Sequence, residues 1–280
     1  DDMKHTEFEW TAKDGLKIFA QAWDPEATPK AVVCLVHGLG EHSGRYANMA
    51  ETLNQGGYAV IASDLRGHGK SGGKRGHSPT FESYMDDLAL LLDEAAGRYE
   101  GLPCFLWGHS LGGVLVTNYV LRRKPQLTAV VITSPGLRTS ISEQKTKIQF
   151  AKLAGKIVPT MNLSTGLDAN LISRDPEVVQ RYINDPLVHG IVTLAMTKYT
   201  LEAIPWAYAH ASEWVLPVLI MHGDADAVAY ASGSEELAKL IKQDCTLKIW
   251  PGLRHETHNE PEKEQVLAYA LGWLDSQLSN

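Results

Sequence analysis

The sequence predicts an α/β fold in which a mostly parallel central sheet is flanked by helices and interrupted once by an insertion. Three observations predict it. Continuous apolar runs of five or six residues, such as Ala31 to Val36, alternate with longer helix-like stretches. This is the pattern of strands buried on both faces between covering helices. The alternation breaks between about Gly136 and Ser212 and then resumes. Finally, the pentapeptide Gly108-His109-Ser110-Leu111-Gly112 falls where an apolar strand gives way to an apolar helix.

The elements follow in order. Glu7 to Thr11 and Lys17 to Trp23 alternate around Asp14-Gly15, which reads as an opening hairpin. The strand Ala31 to Val36 ends at His37-Gly38-Leu39-Gly40, and a helix from about Arg45 to Gly56 leads to the strand Tyr58 to Ser63. A helix over Thr80 to Tyr99 carries Phe81, Tyr84, Leu88, Leu91, Leu92 and Ala95 at helical spacing. Pro103 to Trp107 is the strand before the pentapeptide, Gly113 to Leu121 the helix after it, and Leu127 to Ile132 a fourth apolar strand. The inserted stretch has helix-like patches interrupted by Pro159, Pro176, Pro186 and Pro205, and no clear core strand. Beyond it come the strand Pro217 to Met221, a helix near Gly233 to Lys242, the strand Thr246 to Trp250 and a final helix from Pro261 to Leu278.

Composition excludes several classes. At 280 residues and 44% hydrophobic, the chain can bury a full core. A net charge of -7 with no basic stripe argues against nucleic acid as a partner. Cys34, Cys104 and Cys245 lie in apolar strand-like runs, which predicts buried thiols and a reducing, cytoplasmic setting. No window approaches a membrane span, and the stretch Asp1-Asp2-Met3-Lys4-His5 has no apolar core of a signal peptide.

The pentapeptide has the G-x-S-x-G form. A serine on a sharp strand-to-helix turn holds its hydroxyl clear of the sheet, and small glycines let the two backbones pass close together. A serine hydroxyl is a weak nucleophile unless an imidazole takes its proton. Loops after parallel strands share one rim with that turn, so His255, in the loop beyond the last strand, is the predicted base. His258 is its rival in the same loop, and His222 adjoins its strand too tightly to swing freely. The acid that orients the imidazole is expected at the end of the preceding strand, where Asp226 reaches further out than Asp224. Asp224 is read as a loop-fixing residue that bonds backbone amides. The oxyanion of a tetrahedral intermediate needs preorganised N–H donors, expected from the backbone of Leu111 and of Leu39. The string His255-Glu256-Thr257-His258 is one residue short of H-E-x-x-H, and no further ligand cluster completes it, so neither a metal nor another cofactor is expected.

With these residues assembled, the chain resembles the monoacylglycerol lipase and lysophospholipase branch of the α/β-hydrolases. The segments that carry the resemblance are His37 to Tyr46 (HGLGEHSGRY), Asp64 to Ser71 (DLRGHGKS), Gly108 to Gly113, Asp185-Pro186-Leu187, Gly223 to Asp226 and Gly252 to Glu260. The first is far more specific than the pentapeptide, and the similarity as a whole covers nearly everything from Ala31 to Leu278. The resemblance implies an α/β-hydrolase core over residues 1–135 and 213–280. It also implies a helical cap over 136–212, inserted after the sixth of the family's eight strands, with an apolar channel for one acyl chain. It further implies that Glu41, Arg45 and His258 bind the glycerol end of a small lipid ester. The cap follows the family pattern only loosely, which leaves acyl-chain preference open.

Within that insertion, Thr146 to Val158 reads as an amphipathic helix. Ile148, Phe150, Leu153, Ala154, Ile157 and Val158 form one broad face, with Lys145, Lys152 and Lys156 on the other side. The ordinary expectation is an apolar face buried on the core with lysines in water. A basic-faced helix can also lie on an anionic lipid surface, giving peripheral membrane contact.

The leading expectation is a cofactor-free serine ester hydrolase acting on monoacylglycerols. Lysophospholipase and broad carboxylesterase activity are the enzymatic alternatives. A lipid-binding module on the same fold is the non-enzymatic one.

Overall fold

The computed structural model describes residues 4–142 and 144–279. Asp1-Asp2-Met3, read above for targeting, lies outside them. The chain runs β1 (Lys4–Thr11), β2 (Lys17–Asp24), β3 (Ala31–Val36), α1 (Ala47–Gln55), β4 (Tyr58–Ser63), α2 (Phe81–Arg98), β5 (Cys104–His109), α3 (Leu111–Arg123) and β6 (Ala129–Thr133). After the inserted stretch come β9 (Val218–Gly223), α7 (Ala231–Leu240), β10 (Cys245–Trp250) and α8 (Lys263–Leu278). Within it lie α4 (Lys145–Ile157), β7 (Asn162–Ser164), α5 (Pro176–Asn184), β8 (Ile191–Thr193) and α6 (Leu194–His210).

Eight strands form one sheet in the order β1-β2-β4-β3-β5-β6-β9-β10. The hairpin β1–β2 joins antiparallel to β4, and every pairing from β4 to β10 is parallel. This is the α/β-hydrolase architecture. The central strands β3, β4, β5 and β6 are almost wholly buried because helices cover both faces. One apolar layer joins α2, α3 and the inner side of α6 to one face, and another joins α1 and α8 to the other. The parallel strands all point their C-terminal ends at one rim, and the sequence-predicted site residues sit on that rim.

The strand-to-helix turn depends on two close approaches. A Cβ on Gly108 would lie 2.4 Å from the Gly112 carbonyl oxygen, and one on Gly112 would lie 2.1 Å from the Val36 carbonyl oxygen. Only hydrogen fits between β3, β5 and α3 at these points. Ser110 itself has φ 55° and ψ −116°, a strained backbone for a residue with a Cβ. Its amide donates to the Thr133 carbonyl at 3.0 Å, and its own carbonyl accepts from Val114 and Gly136 at 3.2 Å each.

The insertion departs from expectation in three ways. Pro205 lies inside α6 without ending it, and Pro176 opens α5 at its first turn, where the missing N–H is no loss. A short antiparallel pair, β7–β8, stands apart from the main sheet. Most telling is α4, whose apolar face is not buried on the core. Phe150 is 71% exposed, Leu153 59% and Ile157 70%. The packing stripe is instead Ile148, Ala151, Lys152 and Gly155, with buried Gly155 set against the Leu194 carbonyl of α6. Small residues let α4 approach α6 closely, so the larger apolar side chains point outward and Lys152 is drawn half into the contact. Among the described residues, no helix is long and apolar enough to cross a membrane.

The glycine packing yields a stability prediction. Gly112→Ala should lower unfolding free energy by about 3 kcal/mol in urea titration, since the new methyl meets fixed backbone on β3. Gly97→Ala, on an exposed turn of α2 where a Cβ meets nothing within 4 Å, should instead raise it by up to about 1 kcal/mol. Equal effects at the two sites would contradict the packing argument.

Candidate active site

Ser110 stands at the start of α3, where Oγ faces the rim of the sheet. His255 Nε2 lies 2.9 Å from that oxygen, and His255 Nδ1 lies 2.7 Å from Asp226 Oδ2. An ionised carboxylate only accepts hydrogen bonds, so the His255 proton sits on Nδ1 and donates to Asp226. Nε2 is then free to accept from the Ser110 hydroxyl. Asp226 Oδ1 accepts from the amides of Val228 and Ala229 at 2.8 and 2.9 Å. Burial alone would disfavour charge on Asp226, but the two imidazoles around it, His255 and His222, hold its carboxyl well below the ordinary range. Burial likewise opposes protonation of His255, and the Asp226 charge outweighs it and raises the imidazole above its usual value. The three residues come from the turns after β5, β9 and β10, as the rim argument requires. Asp224, the alternative acid, accepts from the Gly252 amide at 2.6 Å and so ties the β9 loop to the loop that leads to His255.

Leu39 and Leu111 both line the cavity above Ser110. Among the described residues, neither amide meets a protein acceptor. The Leu111 amide belongs to the first turn of α3, where N–H groups lack intrahelical partners. The Leu39 loop is held from both sides. His37 Nδ1 donates to the Gly38 carbonyl at 2.7 Å while its Nε2 accepts from the Leu65 amide at 2.9 Å. The Gly38 amide donates to Glu41 Oε1 at 2.7 Å.

Glu41 and Arg45 line the same cavity and are paired. Tyr46 donates its hydroxyl to Glu41 Oε1 at 2.6 Å. Sequence reading missed the third member of this cluster. Glu256, next to His255, takes two hydrogen bonds from Arg45 at 2.7 and 2.8 Å. The guanidinium also lies 4.7 Å from the centre of the Tyr182 ring of α5. Arg45 therefore joins the Leu39 loop, the His255 loop and the insertion. Burial would raise the Glu256 carboxyl, yet Arg45 overrides this and holds it at about 2. His258 stands behind the cavity wall, stacked on Tyr46 at 5.0 Å and edge-on to His109 at 4.8 Å. Burial pushes both His109 and His258 below the ordinary imidazole range.

Glu260, wholly buried, fastens the insertion to this loop. It accepts from the Ser173 hydroxyl, the Arg174 amide, Arg174 Nε and the Arg254 amide at 2.5–3.0 Å. The Glu256 amide donates to the Ile172 carbonyl at 2.8 Å. Above Ser110 the two parts enclose a cavity of about 490 Å³. Leu39, Leu111, Val114, Leu171, Val192 and Met196 supply much of its apolar wall.

Fold and site geometry together define the class, an α/β-hydrolase with a serine at the strand-to-helix turn. The Hydrolase_4 family, described as "Serine aminopeptidase, S33", matches residues 27–262. A monoacylglycerol lipase of Mycolicibacterium smegmatis is 35% identical over 275 residues, covering 98% of this chain and 98% of that one. A Dictyostelium discoideum abhydrolase domain-containing protein is 35% identical over 263 residues, or 93% of this chain, which spans only 28% of that longer protein. The crystal structure of a Paleococcus ferrophilus monoacylglycerol lipase superposes with a TM-score of 0.82 at 35% identity, covering 99% of this chain and 100% of that one. The chain belongs to the Hydrolase_4 family and, within the α/β-hydrolases, to the monoacylglycerol lipase family.

The Arg45 cluster predicts a pH-dependent stability. Because the Glu256 carboxyl is held at about 2, below its ordinary value of 4.5, its ion pair stabilises the fold fully above pH 4.5 and is lost as pH falls toward 2. Glu256→Gln should cost about 3 kcal/mol at neutral pH. The difference from wild type should shrink through that acid window, as the wild-type residue becomes a neutral acid. A constant difference across pH would show that the charge is not what stabilises the site.

Proposed function

We propose that this protein is a serine ester hydrolase that cleaves monoacylglycerols to glycerol and fatty acid without a cofactor. In this reading Ser110 attacks the ester carbonyl, and His255 takes its proton and passes it to the leaving alkoxide. Asp226 holds the imidazole in the required tautomer and stabilises the imidazolium. The amides of Leu39 and Leu111 receive the oxyanion. Water then attacks the acyl-enzyme with His255 again as base, releasing the fatty acid. The observation that carries the reading is the unbroken chain from Ser110 through His255 to Asp226, at 2.9 and 2.7 Å, beneath a largely apolar cavity.

Residues 1–135 and 213–280 act as the core and 136–212 as the cap that takes the acyl chain. The glycerol end lies toward Glu41 and Arg45, with His258 backing that wall through Tyr46 and His109. The lining charges favour a neutral head over a phosphorylated one. Glu41, Glu256 and Asp168 are acidic, and Arg45, the lone Lys or Arg among the described lining residues, is already shared between two carboxylates. A lysophospholipid phosphate would find no free cation there.

The cap also carries the membrane-facing surface in this reading. Phe150, Leu153 and Ile157 of α4 are exposed beside Lys145, Lys147 and Lys156, a combination suited to an anionic lipid interface. The unpaired thiols of Cys34, Cys104 and Cys245 fit a reducing, cytoplasmic setting.

Ser110→Ala should abolish ester hydrolysis while circular dichroism stays unchanged, and Asp226→Asn should reduce kcat by about 10⁴. Full turnover in the Ser110 variant would overturn the assignment. On a substrate panel, monoacylglycerols should exceed lysophosphatidylcholine in kcat/KM; the reverse order would make the protein a lysophospholipase. In vesicle sedimentation, the pair Phe150→Ser and Leu153→Ser should weaken binding to anionic vesicles with unchanged turnover of a water-soluble ester. Equal binding by variant and wild type would remove α4 from the interface.

A further inference from the structure

We propose that His222 is a positioning residue for the acid, fixing through its own N–H the same Asp226 oxygen that receives His255. The inference rests on the roles given above to Ser110, His255 and Asp226. His222 lies in β9, four residues before Asp226, and its side chain is wholly buried. Its Nε2 lies 3.0 Å from Asp226 Oδ2 and 2.8 Å from the Ala229 carbonyl oxygen. Both partners can only accept, so the hydrogen is on Nε2. On the other side of the ring, Nδ1 lies 2.7 Å from the hydroxyl oxygen of Ser234 in α7. Among the described residues that hydroxyl meets no other acceptor, so it is placed to donate to Nδ1. Three contacts from two elements leave the imidazole no freedom to turn, so His222 cannot itself serve Ser110.

The consequence falls on the Asp226 carboxylate. Oδ1 is taken by the Val228 and Ala229 amides, and one side of Oδ2 by His222. What remains is a single acceptor direction, aimed at His255 Nδ1. Without His222, Oδ2 would be held by His255 alone, and only the two amides on Oδ1 would restrain the carboxylate against turning with the residue it is meant to orient. The donor also draws charge from Oδ2, so Asp226 stabilises the His255 imidazolium less than a carboxylate lacking it would. That keeps the base unprotonated, and the enzyme active, toward lower pH.

The other ionisable groups facing His255 are Glu256 and His258 of its own loop, Glu41 from the loop after β3, and His109 from the turn after β5. The polar contacts of His222 go to Asp226, Ala229 and Ser234 and to none of these. A change at position 222 thus reaches His255 through Asp226.

The test is the pH profile of kcat/KM for the full chain on p-nitrophenyl butyrate. In His222→Leu the acid-limb midpoint, which reports His255, should rise by roughly half to one pH unit, with a three- to tenfold loss of kcat/KM below it and KM little changed. His222→Gln restores an N–H near the position of Nε2, and the midpoint should return toward wild type. Should His222→Leu fail to fold by circular dichroism, Ser234→Ala keeps the ring and removes its anchor, and should shift the midpoint in the same direction by less. A purely structural His222 would lower Tm in these variants and leave the midpoint in place; that result, or a downward shift, overturns the inference. Wild-type protein that hydrolyses no ester, or a Ser110→Ala variant that still does, refutes the underlying reaction instead.

Discussion

Everything at this site hangs on the close crossing of β3, β5 and α3. Gly108 and Gly112 let three backbones approach to a distance at which any side chain would collide with a carbonyl. Ser110 is thereby held in a conformation that an isolated chain would avoid. The sheet supplies the compensation, since the amide and carbonyl of Ser110 are both bonded to neighbouring segments. A hydroxyl held this way stands clear of the strand ends and near both Leu39 and Leu111, with no need for a flexible loop to deliver it.

Around that fixed point the electrostatics divide into two buried carboxylate systems. Asp226 collects two amides and two imidazoles, and so can remain charged away from water. Glu41 and Glu256 share Arg45 and remain charged for the same reason. The two systems meet at neighbouring residues, His255 and Glu256. One loop therefore carries both the imidazole facing Ser110 and the carboxylate that ties this edge of the site to the Leu39 loop. Glu260 fastens the same loop to the insertion. Movement of the insertion over the cavity would have to strain these bonds, which makes the 170–174 segment the fixed end of that region.

Much of this was legible in the sequence because an open parallel sheet brings its strand ends to one rim. Reading Ser110, Asp226 and His255 as neighbours needs only strand ends in the right order, and the structure brings those three together. The choice of Asp226 over Asp224 was also readable, since the second aspartate extends further along the loop. Other features left no such trace. Nothing in the sequence pairs Arg45 with Glu256, 211 residues away, and the string that contains Glu256 reads only as an incomplete metal motif. The orientation of α4 was hidden because its closest contact is made by Gly155 and Ala151, which a hydrophobic pattern does not weight, and by the stem of Lys152. The strand pair β7–β8 is three residues on each side, too short for alternation to register. The confinement that keeps His222 from serving as the base is what suits it to hold Asp226.

The central claim is that Ser110 carries the acyl group between the two halves of the reaction. Its most direct measurement is rapid-quench hydrolysis of p-nitrophenyl butyrate with intact-mass and peptide analysis of the quenched protein. A burst approaching one nitrophenol per chain, with a butyryl adduct on the peptide containing Ser110, is the predicted result. Steady turnover accompanied by an adduct on any other residue would contradict it.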